Sequence, residues 1–179
     1  MVYFRIILAY NEQMKILGID PGLATLGYGI IETKNADSKK KGVTCVAFGT
    51  IKTPQDTLMG KRLGQIEREL VRLIKEFKPD IACIETLFFF MNQKTIIQIG
   101  QVHGILALTF FKRKIPIVYY PPLKIKNVLT GNGRAKKPEV QEKVGEFLQM
   151  EKKPTQDDAA DALAVAICHI LSSKKKSGN

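Results

Sequence analysis

Apolar residues come in short strand-like runs through the first third of the chain and at helical spacing through most of the rest. Lys15 to Asp20, Leu26 to Thr33 and Val43 to Lys52 read as strands, parted by Pro21-Gly22 and by the polar stretch Lys34 to Gly42. Connections this short predict an antiparallel meander. Leu63, Ile66, Leu70, Leu73, Ile74 and Phe77 then recur at three- and four-residue intervals, which predicts an amphipathic helix. Pro79 closes it, and Asp80 to Glu85 is a short strand apolar enough to be buried. A second helix from Lys94 to Lys112 leads into a strand over Ile115 to Tyr120. Strand–helix–strand of this length implies parallel neighbours and a right-handed crossover. The last third predicts helices over Leu123–Leu129, Pro138–Met150 and Thr155–Leu171, with Pro138 and Thr155 as helix starters and a loop from Thr130 to Lys137. The expected product is an α/β fold, a five-stranded mixed sheet flanked by helices.

Both ends read as peripheral to one domain spanning residues 14–171. Residues 1–13 precede Met14, whose Met-Lys-Ile-Leu-Gly opening resembles an ordinary start, so an upstream start codon or an extra edge strand is expected there. No small-residue cleavage site follows, which argues against a signal peptide. Residues 172–179 form a short polar, basic tail that is expected to be disordered.

Four carboxylates break the apolar pattern. Asp20 ends the run Ile16-Leu17-Gly18-Ile19, and Glu85 ends Ile81-Ala82-Cys83-Ile84. Asp158 and Asp161 open a helix that is otherwise almost wholly apolar. A buried ionised carboxylate is costly unless something positive compensates it, and four together would repel. A divalent cation is the natural counter-charge. Helical geometry leaves the last pair open, since Asp157 and Asp161 are spaced i, i+4 and Asp158 and Asp161 i, i+3.

Charge narrows the substrate. The chain has 28 Lys+Arg against 17 Asp+Glu, a formal net charge of +11. An acidic, metal-seeking cluster inside a basic protein suits phosphodiester chemistry: the surface gathers the polyanion and the pocket holds a cation against the phosphate. Cys45, Cys83 and Cys168 lie in apolar segments without metal-site spacing and are expected in the core of a protein in a reducing cytoplasm. Glycine-rich phosphate loops are absent, and no apolar run reaches the length of a membrane span.

The segments ILGIDPGLATLGYGII, IACIETLFF, GQVHG, KNVLTGNGRAKKPEVQ and DDAADALAVAICH, in this order from Lys15 to His169, together resemble the RuvC family of Holliday-junction resolvases. The resemblance implies a ribonuclease H-like fold, a homodimer, and paired nicking of four-way DNA junctions that depends on Mg²⁺. It makes Asp20, Glu85, Asp158 and Asp161 the catalytic and metal-holding acids, with two Mg²⁺ per site and Mn²⁺ as the alternative. The family's Asp-Ala-Ala-Asp pattern falls on Asp158-Ala159-Ala160-Asp161, leaving Asp157 as a helix-start residue near the positive end of the dipole. Two ions about 3.5–4 Å apart would clamp the scissile phosphate without a protein nucleophile. Ligatable 5′-phosphate and 3′-hydroxyl ends are implied, as is a branch-migration helicase complex as partner.

DNA contacts are expected from a separate set. The basic, glycine-bearing loop around Arg134, Lys136 and Lys137, with Lys126 before it, suits a phosphate backbone, and Lys126 and Lys137 match basic positions of the family. Phe88 matches an aromatic expected to reach the junction, where stacking on an unpaired base is worth about 1–3 kcal/mol. His103, between Gly100 and Gly104, is expected to pack at a subunit interface, His169 to lie at the surface near a helix end, and Tyr119 and Tyr120 to pack in the core or at its rim.

Three other readings compete. A ribonuclease H-like nuclease acting on RNA–DNA hybrids would keep the fold and change the substrate. A sugar-kinase or actin-like ATPase also has an Asp-x-Gly turn after its first strand, but this chain is short and lacks a second such turn and a glycine-rich adenosine motif. A silent DNA-binding protein gives the four acids no purpose.

Overall fold

A computed structural model of the chain describes residues 13–34, 42–86, 93–150 and 156–174. Within them lie the strands β1 (Lys15–Asp20), β2 (Thr25–Thr33), β3 (Val43–Lys52), β4 (Ile81–Glu85) and β5 (Ile117–Tyr120). They form one sheet in the order β3-β2-β1-β4-β5. The first three make the antiparallel meander, and β4 and β5 run parallel to β1 on its other side. The helices are α1 (Met59–Phe77), α2 (Gln93–Lys112), α3 (Pro122–Thr130), α4 (Lys137–Phe147) and α5 (Asp157–Lys174).

Strand alternation sorts the core into two layers. Ile16, Ile81 and Cys83 face one way, against Val144, Leu163 and Ile167 of α4 and α5. Leu17, Ile19, Ala82 and Ile84 face the other way, against Ile66, Leu70, Val102 and Leu106 of α1 and α2. With both faces covered, the central strands read as unbroken apolar runs. The same alternation carries Asp20 and Glu85 onto the α5 side.

Helix α5 sits unusually close to the sheet because three glycines make room for it. A Cβ at Gly18 would overlap the Ala162 carbonyl oxygen, one at Gly27 the Asp158 carbonyl, and one at Gly29 the Leu163 side chain. Gly18 pairs with Gly29, and Gly27 with Asp20, so the trough runs obliquely over β1 and β2 toward the strand end that bears Asp20. On the opposite side, Thr53 Oγ1 donates to the Leu23 carbonyl at 2.6 Å and accepts from Arg62 Nε at 2.8 Å. Both side chains are buried, and they brace the turn that follows Asp20.

Element ends differ from the periodicity where backbone chemistry intervenes. β5 starts at Ile117, after Pro116, which has no N–H to donate to a ladder. α4 runs from Lys137 to Phe147, short of Met150, and Gln149 just beyond it adopts a left-handed φ of 50°. α5 starts at Asp157 and continues past Leu171 to Lys174, three residues into the expected tail. The expected start at Thr155 and residues 175–179 lie outside the described residues, as do residues 1–12.

Two expectations are corrected. His169 is not at the surface: only 2% of it is exposed, because α5 is embedded almost throughout and the chain continues helical beyond it. Its Nδ1 lies 2.8 Å from the Tyr120 hydroxyl, and burial pulls the imidazole down to about 4. Cys83 and Cys168 are core residues, but Cys45 is only half-buried, since β3 is an edge strand.

Candidate active site

Ile19 and Ile84 stand side by side in the parallel β1–β4 ladder, so the residues after them, Asp20 and Glu85, leave the same edge of the sheet as neighbours. The β4 end is held from its other side as well: Glu85 pairs with Tyr120, and the Thr86 N–H donates to the Tyr120 carbonyl at 2.9 Å. The first turns of α5 descend beside them, with the Asp158 backbone on Gly27 and Asp161 one turn further on. Three segments distant in sequence thus bring Asp20, Glu85, Asp158 and Asp161 to the same end of the sheet, close enough to feel one another's charge.

Their electrostatics register the crowding. Burial, then the charges of Asp161 and Asp158, push Asp20 up to about 7, against the pull of Lys137. Burial, then Asp20 and Asp161, push Glu85 up to about 8, while Lys126 and Lys137 oppose. Asp161 is raised too, chiefly by burial, and Lys137 works against the shift. The Lys137 ammonium stands 3.0 Å from Asp161 Oδ2 as the nearest counter-charge.

Asp157 has a different environment. Its Oδ1 accepts from Gln141 Nε2 at 2.8 Å and its Oδ2 lies 3.5 Å from Lys137 Nζ, both on α4. Hydrogen bonding to Gln141 and the Lys137 charge hold its carboxyl below the ordinary carboxylate value. Asp158, not Asp157, is the neighbour whose charge reaches Asp20. Two adjacent aspartates at a helix start therefore face different elements, a distinction that i, i+3 and i, i+4 spacing left open.

A cleft of about 250 Å³ opens among these groups. Glu85, Asp161, Lys126 and Lys137 line it together with the apolar side chains of Ile125 and Val140. Among the described residues, no three Asp, Glu, His or Cys side chains converge closely enough to share one ion as they stand. Uncompensated carboxylates repel one another, and Asp161 is turned to Lys137. The donor set is nonetheless all anionic oxygen, the chemistry that hard divalent cations select.

The basic loop is built rather than loose. Thr130 Oγ1 donates to the Lys126 carbonyl at 2.9 Å and accepts from the Asn132 N–H at 3.1 Å. Asn132 Oδ1 accepts from the Arg134 N–H at 2.9 Å, and Gly131 supplies the positive φ that ends α3. Arg134 and Lys136 project from it exposed, while Lys126 is half-buried and faces the cleft. Phe88 falls outside the described residues.

Beyond the cleft, the Tyr120–His169 pair and the Gln141–Asp157 link escaped sequence reasoning. Tyr120 is buried beneath Lys124, whose ammonium lies 5.2 Å from the ring centroid. A tyrosine closing a strand just before Pro121-Pro122 was the available signal. His103 stacks on the half-exposed ring of Tyr119, centroids 6.1 Å apart. Its Nε2 is buried without a hydrogen-bond partner among the described residues.

Comparison with known proteins gives one consistent result. The family model described as crossover junction endodeoxyribonuclease RuvC matches residues 16–169. A Syntrophomonas wolfei protein of that name is 45% identical over 159 residues, covering 89% of this chain and 90% of the relative. One from Thermotoga maritima is 40% identical, covering 92% and 95%. Among solved structures, Thermus thermophilus RuvC superposes with a TM-score of 0.82 at 26% identity, covering 91% of this chain and 97% of that one. The same T. thermophilus protein in complex with a Holliday junction substrate gives 0.80 at 25% identity, covering 90% and 96%. The yeast mitochondrial resolvase Ydc2, at 14% identity and a TM-score of 0.61, shares the fold.

Proposed function

The chain belongs to the RuvC family of crossover junction endodeoxyribonucleases, and on that premise we propose that it resolves four-way (Holliday) DNA junctions by paired symmetric nicks. The products are 5′-phosphate and 3′-hydroxyl ends that ligase can reseal, the setting is homologous recombination and DNA repair, and the compartment is the cytoplasm. The observation that carries the reading is the convergence of acids from three distant segments: the charge of Asp161 acts on both Asp20 and Glu85.

Asp20, Glu85, Asp158 and Asp161 would hold two Mg²⁺, with Mn²⁺ the alternative. The chemistry such ions supply is a more acidic water for attack on phosphorus and compensation of charge on the leaving oxygen. The chain's own groups do the rest. Burial of Asp20 and Glu85 keeps the dielectric low where charge changes, which strengthens each interaction with the phosphate. Lys126 and Lys137 line the cleft and draw the scissile phosphate toward the acids. Arg134 and Lys136, held out on the ordered loop, take phosphates further along the strand. Phe88 is assigned to the junction by family pattern.

Paired nicks on a two-fold substrate call for two sites, and α2 offers the surface that would join them. Ile97, Leu108 and Phe111 are exposed along it, Phe111 by 80%. Gly100 and Gly104 leave open space beside the same helix. A second copy packed there would bury this surface and lie next to His103, giving a homodimer. A branch-migration helicase complex is proposed as partner on family membership alone. No described helix is long and apolar enough to cross a membrane.

The test is a gel assay on a synthetic four-way junction, with duplex and RNA–DNA hybrid controls, with and without Mg²⁺. Paired nicks on the junction alone, requiring Mg²⁺, support the reading. Cleavage of the hybrid instead would move the substrate to the related nuclease class.

A further inference from the structure

Lys137 has two carboxylates within reach, and only one of them belongs to the acidic cluster. Its Nζ lies 3.0 Å from Asp161 Oδ2 and 3.5 Å from Asp157 Oδ2, partners one helical turn apart on α5. We propose that Asp157 is a positioning residue: it keeps the Lys137 ammonium at the cleft when a divalent cation takes Asp161. This rests on the function proposed above, in which Asp161 is a metal-holding acid.

The geometry separates the roles of the two aspartates. Asp161 is three-quarters buried and shares the cleft with Glu85, whereas the side chain of Asp157 is 62% exposed and turned to α4. Gln141 Nε2, one turn along α4 from Lys137, donates to Asp157 Oδ1 at 2.8 Å and so leaves Oδ2 aimed at Lys137. The carboxylate is therefore set in place before any competition for Lys137 begins.

That competition is built into the site. A cation on Asp161 displaces the closer partner of Lys137. A lysine side chain has four flexible methylenes and strong hydration, so an ammonium without a partner swings into solvent. With Asp157 in place, the ammonium transfers to a partner already at 3.5 Å and stays where an incoming phosphate meets it. Asp157 touches neither cation nor phosphate in this scheme. It acts through Lys137.

A double-mutant cycle on metal affinity tests the idea without DNA or turnover. Mn²⁺ is titrated calorimetrically into the full-length chain, its Asp157→Asn, Lys137→Ala and double variants, and Asp161→Asn. The Asp157→Asn protein should bind Mn²⁺ roughly two- to fivefold more weakly, the scale of one exposed ion pair. In the Lys137→Ala background the same substitution should have no effect. An equal loss in both backgrounds would make Asp157 a mere through-space charge and overturn the proposal, as would no loss in either. Absence of Mn²⁺ binding by the unaltered chain, or binding indifferent to Asp161→Asn, would instead overturn the metal-site reading and this inference with it. Melting temperatures of the four variants establish that each is folded.

Discussion

Gly27 stands opposite Asp20 in the β1–β2 ladder, and the absence of a side chain on the first lets the backbone of α5 settle beside the second. The Asp158 carbonyl occupies the volume a Cβ at Gly27 would need. Gly27→Val should therefore lift the start of α5 off the sheet. Overpacking costs about 1–3 kcal/mol where side chains can yield, and here the obstacle is backbone, so a loss at or above that range is expected in chemical denaturation. Nicking should fall further than stability does.

The acids and the lysines should fail in opposite ways. Asp20→Asn or Asp161→Asn is expected to cut the nicking rate on the order of 10³-fold, a loss typical of removing a group central to the reaction. Junction affinity should hold or rise, since a negative charge near phosphate is gone. Lys126→Ala should instead weaken binding and reduce the slope of log affinity against log salt by about 0.9. Unchanged turnover in the first pair would remove those acids from the site, and an unchanged slope would make Lys126 ordinary surface charge.

Metal-free protein should lose stability as pH rises. Asp20 and Glu85 move from ordinary values of 3.8 and 4.5 up to about 7 and about 8 on folding. Between those limits the folded chain binds more protons than the unfolded one, so the contribution of both groups is fully present below pH 4 and is lost by the time pH passes 8. In chelator, the melting temperature of the unaltered chain should fall by several degrees across this window relative to an Asp20→Asn, Glu85→Gln variant. Mn²⁺ affinity should climb over the upper half of the same window, because the acids must shed their protons to bind it. A flat difference between the two proteins would contradict the burial of the pair.

Phe111, 80% exposed on α2, should matter only to assembly. Phe111→Asp is expected to leave the melting transition of the monomer nearly unchanged and to halve the mass seen by sedimentation. A monomeric unaltered chain, or a dimer indifferent to the change, would place the subunit contact elsewhere.

Much of this was legible in the residues because strand and core patterns carry their own periodicity. β1 and β3 have the bounds their apolar runs predict, and a carboxylate closing an apolar run is a conflict visible without coordinates. What was hidden depends on neighbours that no spacing encodes. His169 was misplaced because burial of a helix near its end depends on what covers it, here Tyr120 from a strand 49 residues earlier. Asp157 and Asp158 differ only in which way α5 is rolled, and the glycine trough sets that roll.

The order of the acids along the chain has a consequence for synthesis. Asp20 leaves the ribosome well before Asp158 and Asp161, which lie in the last helix described. A nascent chain that stalls before α5 carries only half the acids. Its glycine trough is uncovered, and one apolar face of its sheet is bare. Such a fragment is unfinished as a folding unit and, under the proposed mechanism, powerless against DNA. Under that mechanism the acids act together only once α5 has been made and has packed into the trough.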